Sequence, residues 1–239
     1  MSGKREEILD AALAIADARG LAGVSMRAVA QAVGVTPMAL YPHVKDKAGL
    51  LDAMLGRLLA GVSEAAPELA GAQDWRVRLR AFADTARGLS IGHPWAVTLL
   101  FSRPAVTPDA VFTVDQLYGA LLDAGVPPSQ VPRLERLVST YVLGWIASES
   151  GGRFGPGTPD PRGERGKLPE GGLPAHLALA DWLDPPVDWD AEYAADLDDL
   201  ERLVESVARR GASTAQRAPG TGEDGGGDED GGGRTAAGG

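Results

Sequence analysis

Val24-Ser25-Met26-Arg27-Ala28-Val29-Ala30-Gln31-Ala32-Val33-Gly34-Val35-Thr36-Pro37-Met38-Ala39-Leu40-Tyr41-Pro42-His43-Val44-Lys45-Asp46-Lys47-Ala48-Gly49-Leu50-Leu51 reads as two short helices joined by a tight turn, with a longer third helix following at once. Each boundary carries its own chemistry. Ser25 is an N-cap for a helix over 26–33, Gly34 permits the turn, and Thr36 before Pro37 pairs an N-cap with proline at the first helical position. Asp46 is placed to cap the helix that begins at Lys47. Val29, Ala30 and Val33 on the first helix, and Leu40, Tyr41 and Val44 on and just after the second, fall on inward faces at helical spacing. This is the pattern of a helix-turn-helix, whose second helix enters the DNA major groove.

The run Leu40-Tyr41-Pro42-His43-Val44-Lys45-Asp46-Lys47 follows Val35-Thr36-Pro37, and the helix before it opens with Ser25-Met26-Arg27. Together these residues resemble the TetR family of one-component transcriptional repressors. The resemblance implies a sequence-specific regulator that binds double-stranded DNA as a homodimer and is released from a palindromic operator by a small-molecule effector. In the family, the positions matching Tyr41, His43 and Lys47 grip the phosphate backbone, which sets register and affinity without reading sequence. Lys47 sits unfavourably at a helix N-terminus, and an anionic partner would relieve it. For Tyr41 a dual role is expected, with the ring in the core and the hydroxyl at the DNA.

Base reading is expected from Thr36, Pro37, Met38 and Ala39 at the start of the recognition helix, with Arg27 from the helix before. Ser25 belongs to the same DNA-binding set. Arg27 can bond O6 and N7 of a guanine, a contact worth about 1 to 3 kcal/mol of discrimination. Pro37, Met38 and Ala39 have only van der Waals contact to offer. Pro42 lacks an N–H and clashes with a preceding turn, so it is expected to end or bend the recognition helix.

Charge is distributed to match. The net charge is -10, yet residues 25–47 hold three basic side chains against one acidic, while residues 48–210 hold 15 against 23. The positive potential is confined to the DNA face, which makes nonspecific attraction modest and docking oriented. The absence of cysteine excludes disulfides, thiolate catalysis and cysteine metal sites. Lys4, Arg5, Glu6 and Glu7 precede an amphipathic helix where a signal peptide would place an apolar run, and no apolar run is long enough to span a membrane. A cytoplasmic protein without cofactor or metal is expected.

The rest of the chain is predicted all-α. Residues 4–19 form a helix with Ile8, Ala11, Ala12, Ile15 and Ala16 on one stripe and Gly20 as its stop. A helix over 47–66 carries Leu51, Met54, Leu55, Leu58, Leu59 and Val62, long enough to join the next domain and act as a lever. Further helices are predicted over 74–89, from Pro94 through Phe101, from Thr107 to Gly125 on a stripe of Val111, Val114, Tyr118, Leu121 and Leu122, and from a Ser129 cap to about Ser150. Residues 151–174, rich in glycine and proline, read as a mobile loop. A short helix over 173–182 and a long one over 190–210 follow. The domains are then a DNA-binding unit over 1–47, a connecting helix over 48–66, a helical effector-binding and dimerisation domain over 67–210 and a tail over 211–239. That tail has 11 glycines and almost no apolar side chain, and is expected to be disordered.

Two apolar stripes bear on assembly: Tyr193, Leu197, Leu200, Leu203, Val204 and Val207 on the last helix, and Leu134, Leu137, Val138, Tyr141, Val142 and Trp145 on the 130–150 helix. TetR-like repressors dimerise by packing two such helices from each subunit, so a dimer face is favoured over a face toward the subunit core. The resemblance also implies an effector cavity in the second domain. Phe82, His93, Trp95, Phe112, Tyr118, Tyr141 and Trp145 could wall it, with core packing as the competing role for each. Glu149 is a candidate partner for a cationic ligand. Two rival functions stand beside this: a helical enzyme using His93 with Glu149 or an aspartate as an acid-base pair, for which no nucleophile motif or phosphate-cradling loop is found, and an effector-independent DNA binder.

Overall fold

The computed structural model describes residues 2–65, 74–103, 107–163 and 173–217. Every regular element among them is helical, with a single isolated bridge between Pro159 and Pro186. Helix α1, Ser2–Gly23, turns Ile8, Leu9, Ala12 and Ala16 inward. Its regular winding breaks at Gly20, as expected: that residue takes φ +67° and ψ 176°, and one further helical turn follows to Gly23. Helix α2, Met26–Val33, contributes Val29 and Ala30. A 3-10 turn, Pro37–Leu40, leads into α3, Tyr41–Val44, and these bury Leu40 and Val44. Helix α4, Lys47–Ala65, closes this first core with Leu50, Ala53 and Met54. Leu50 and Ala53 extend the inward face beyond the expected stripe; the Val62 side chain lies outside the described residues.

The second domain is built from α5, Trp75–Gly92, α6, Ala96–Ser102, α7, Pro108–Asp123, α8, Val131–Ser150, the short α9, Pro174–Ala178, and α10, Ala180–Leu183, and α11, Trp189–Arg217. Asp74 and Thr107 cap α5 and α7 through Arg76 N at 2.9 Å and Ala110 N at 3.3 Å. Helices α5, α7, α8 and α11 enclose one core around Leu79, Leu117, Leu121, Leu134, Val138 and Val204, and α5, α8 and α11 a second around Ala83, Trp145, Ile146, Tyr193 and Leu197. Among the described residues no helix is long and apolar enough to cross a membrane.

Ser129 caps nothing: Pro128 opens a 3-10 turn over Pro128–Gln130, so Ser129 lies inside that turn and α8 starts after Gln130 without a side-chain cap. Helix α7 buries Ala110, Leu117, Ala120 and Leu121, whereas Val111 and Leu122 face outward, because its packing face is rotated from the stripe that alternates through those two residues. The predicted helix over 173–182 is two short ones. Helix α11 continues to Arg217, so the first residues of the expected disordered tail are helical; the rest of the tail lies outside the described residues.

The two apolar stripes resolve toward the subunit core. Tyr193, Leu197, Leu200, Val204 and Val207 on α11, with Leu134, Val138, Val142 and Trp145 on α8, are buried within one chain and unavailable to a partner. The outward side of α8 carries Arg133, Arg136, Leu137, Thr140 and Gly144 in their place. After α8 ends at Gly151, the loop is anchored: Phe154 stacks on Trp189 with ring centroids 4.4 Å apart, and a 3-10 turn forms over Pro161–Gly163. Residues 164–172 of the expected mobile loop lie outside the described residues.

Candidate functional site

The recognition unit is assembled from local bonds. Ser25 Oγ accepts from the Ala28 amide at 3.1 Å, fixing the start of α2. Gly34 ends the helix at φ +73°, and its amide returns to the carbonyls of Ala30 and Gln31, which lets the chain reverse tightly. Thr36 takes the extended backbone of an N-cap, but its hydroxyl makes no cap bond. Pro37 offers no amide, and the turn closes instead through the Thr36 carbonyl, which accepts from Ala39 N at 3.0 Å. Pro42 does not stop the helix. It stands in the first turn of α3, where the missing N–H has no intrahelical partner to lose, and α3 runs on to Val44. The stop is Lys45, at φ +58°, with its amide on the Tyr41 carbonyl at 3.0 Å. Asp46 Oδ1 then accepts from Gly49 N at 2.8 Å and caps α4.

With Leu40 and Val44 buried, the opposite face of this segment points to solvent. Thr36, Pro37, Met38, Ala39, Tyr41, Pro42, Lys45 and Lys47 are exposed and His43 is half-buried. Tyr41 is 43% exposed, so its ring is only partly in the core. Arg27 is exposed on α2, and Gln31, one turn further along the same face, joins it. Gln31 and Lys45 were not singled out from the sequence; the four-residue spacing from Arg27 marks Gln31, while nothing in the residue type marks the strained Lys45 backbone. Arg27, Lys45 and Lys47 make no ion pair among the described residues, and an outer face with three cations against the single carboxylate of Asp46 suits a polyanion.

A seam joins this unit to the second domain at two places. On one side Asp17 of α1 accepts from His93 Nδ1 at 2.6 Å and from the Trp95 indole at 2.7 Å, both residues lying in the turn between α5 and α6. Partial burial pushes the Asp17 carboxyl up, but the hydrogen bonds from His93 and Trp95 and the His93 charge together outweigh it and hold the group below the usual carboxylate range. On the other side Arg103, just after α6, pairs with Asp52 and donates to the Ala48 carbonyl at 3.0 Å, both on α4. The Asp52 pairing and its hydrogen bond raise the affinity of the Arg103 guanidinium for its proton. Helix α6 is therefore fastened to α1 at one end and to α4 at the other.

The seven residues proposed for a cavity are dispersed. His93 and Trp95 belong to the seam, and Phe112 is 46% exposed. Phe82 packs on both cores of the second domain, Tyr118 on the first, and Tyr141 and Trp145 on the second. Tyr141 donates to Asp196. Trp145 is joined by Tyr193 of the α11 stripe and by two aromatic residues without a role in the sequence reading, Phe154 and Trp189. Arg87 lies over the Tyr193 ring and clamps Glu149 at 2.5 to 3.1 Å and Asp190 at 2.5 Å. Glu149 is thus already paired with a cation, and His93 meets Asp17 and not Glu149. A groove of about 440 Å³ on the outer side of α5 is lined by Val77, Arg80, Ala81, Asp84 and Thr85, none of them among the seven.

Comparison with known proteins gives these observations a frame. Residues 8–54 match the family model of bacterial regulatory proteins of the tetR family, and residues 66–189 match the tetracyclin repressor-like C-terminal domain. The chain is 34% identical over 144 residues to the HTH-type transcriptional repressor DrrR1 of Streptomyces coeruleorubidus, covering 60% of this chain and 53% of that protein. It is 32% identical over 149 residues to an HTH-type transcriptional regulator of Saccharopolyspora erythraea, covering 61% of each. The matched part thus spans little more than half the length of these relatives. A solved structure of a possible TetR family transcriptional regulator from Streptomyces coelicolor A3(2), 27% identical, superimposes with a TM-score of 0.67 over 85% of this chain and 99% of that one. With both halves of the architecture matched and the recognition unit intact, the chain belongs to the TetR family of bacterial transcriptional regulators.

Proposed function

We propose that this protein is a dimeric repressor that reads a palindromic operator and leaves it when a small molecule binds the second domain. The observation that carries the reading is the outer face of the recognition unit, where Arg27, Lys45 and Lys47, without an ion pair among the described residues, stand beside the exposed residues 36–39 and 41. Tyr41, His43 and Lys47 then take phosphates, with Ser25 at the edge of the same surface. Arg27 supplies hydrogen-bonded base readout, and Thr36, Pro37, Met38 and Ala39 face the bases.

Effector response follows from the fastening of α6. A ligand that favours one arrangement of α5 and α6 biases both α1 and α4, and through them the recognition helix. A second copy is placed in this reading against the outward side of α8, where Leu137, Thr140 and Gly144 stand exposed beside Arg133 and Arg136. A twofold dimer presents its recognition helices about one DNA turn, ~34 Å, apart or somewhat more.

The test is selection of bound sequences from random duplex DNA by the full chain at about 150 mM salt, where nonspecific attraction is weak. An enriched palindrome is the expected result and supplies the operator for ligand-release screens. Weak binding indifferent to sequence, from protein freed of ligand by denaturation and refolding, would favour the effector-independent binder instead.

A further inference from the structure

We infer that Met38 is a reader of the C5 methyl group in the major groove, so that the protein's specificity at one base of each half-site depends on that methyl whichever pyrimidine carries it. The inference rests on the DNA-binding reading above and names what one position of the interface recognises.

Met38 is 74% exposed, more than any other large apolar side chain described in this protein. It is not surplus from a core: the inward positions of its segment, Leu40 and Val44, are filled and buried. The segment is wound as a 3-10 turn over Pro37–Leu40 that passes directly into α3 at Tyr41. Met38 in that turn and Tyr41 at the start of α3 both stand exposed, with Met38 nearer the N-terminal tip of the segment. With the Tyr41 hydroxyl at a phosphate, the thioether is carried toward the base edges.

The neighbours narrow what it meets there. Pro37 and Ala39 flank it with no donor or acceptor on their side chains, so the tip of the segment presents apolar surface to the groove. Against the polar edges of guanine, adenine and cytosine, that surface would strip water from donors and acceptors and return nothing. The one apolar group displayed in the major groove of ordinary DNA is the C5 methyl of thymine. The unbranched, polarizable methionine side chain adapts to it over a range of positions. Since 5-methylcytosine sets its methyl in the same place, the same contact would make binding responsive to cytosine methylation at that base.

The experiment starts from the operator enriched by the full chain. Each thymine is replaced in turn by deoxyuridine, which removes only the methyl, and affinity is measured by fluorescence anisotropy at about 150 mM salt. The expected result is one symmetry-related pair of thymines at which uracil weakens binding about fourfold per half-site, the factor that burying one methyl-sized group gives. At that base 5-methylcytosine should bind about fourfold better than cytosine. Both differences should vanish in Met38→Ala and persist in Met38→Leu; the exposure of the side chain leaves the fold of either variant undisturbed. An operator with no uracil-sensitive thymine would overturn this inference and leave the regulator reading standing, as would a methyl effect that survives in Met38→Ala. No enriched operator at all would overturn both.

Discussion

The Trp95 indole donates to Asp17 at 2.7 Å across the boundary between the two domains, and His93 donates to the same oxygen at 2.6 Å. One carboxylate of α1 thereby holds both polar groups of the turn that leads into α6. Asp17→Ala leaves two donors without that acceptor. Bonds to a charged group are worth about 1.5 to 3 kcal/mol, and with the Asp17 side chain 43% exposed a loss of about 1 kcal/mol in urea unfolding at pH 7 is expected. Because the folded protein holds this carboxyl below its ordinary value, its contribution is full above about pH 4 and disappears as the pH falls through the lowered value. The gap between wild type and Asp17→Ala should therefore close in acid; a gap that stays constant down to pH 2 would show that the carboxylate charge is irrelevant to the seam.

Helix α4 comes close to the second domain at Gly56. A Cβ placed there would lie 2.7 Å from Thr107 Oγ1 and 3.1 Å from Thr107 Cβ. The threonine cannot swing aside freely, since its hydroxyl caps α7. In an open helix position alanine is better than glycine by about 1 kcal/mol, but overpacking costs about 1 to 3 kcal/mol, so Gly56→Ala should be net destabilising by about 1 kcal/mol. Gly88, mid-helix on α5 with nothing within 4 Å of its own Cβ site, is the internal control, and Gly88→Ala should stabilise. Thermal melts of the two variants moving in the same direction would contradict the contact.

What was legible in the sequence divides along the same boundary. In the first domain Ser25, Gly34 and Asp46 announce their helix ends because each acts on amides or carbonyls within a few residues, and all three do so in the structure. Tertiary facts were not written locally. His93 and Trp95 read as aromatic walls of a cavity, yet their partner Asp17 lies more than seventy residues away in sequence. The stripes on α8 and α11 are real, but apolar spacing says only that a face is covered, and the cover turned out to be the rest of the same chain. Pro42 was misjudged because a proline penalty applies to a helix interior, and the change from 3-10 to α winding makes this position a beginning.

Ser25 offers a way to separate folding from binding. Ser25→Ala removes the oxygen that accepts from Ala28 N and should cost about 1 kcal/mol of stability. Ser25→Asp keeps a cap acceptor and places a carboxylate at the start of α2, where negative charge suits the helix but repels phosphate. The aspartate variant should melt near the wild-type temperature and bind DNA more weakly, whereas the alanine variant should melt lower and, once folded, bind more tightly than the aspartate one. Equal DNA affinity for wild type and Ser25→Asp would remove Ser25 from the interface.

Arg27 and Lys47 are both exposed cations on the outer face, and they are expected to fail differently. Arg27 lies on α2 in line with Gln31, where a fork of donors can reach a guanine edge, so Arg27→Ala should relax preference at one or two base pairs, costing about 1 to 3 kcal/mol on the operator and less on random duplex. Lys47 begins α4, where a single ammonium can neutralise one phosphate and read nothing. Lys47→Ala should weaken binding to all sequences alike and shallow the slope of log affinity against log salt by about one unit. Anisotropy titrations on operator and random DNA at several salt concentrations check both variants together. If both lost affinity equally on the two DNAs, with the same change of slope, neither residue would be reading bases, and specificity would fall to the residues at 36–39 and to Gln31.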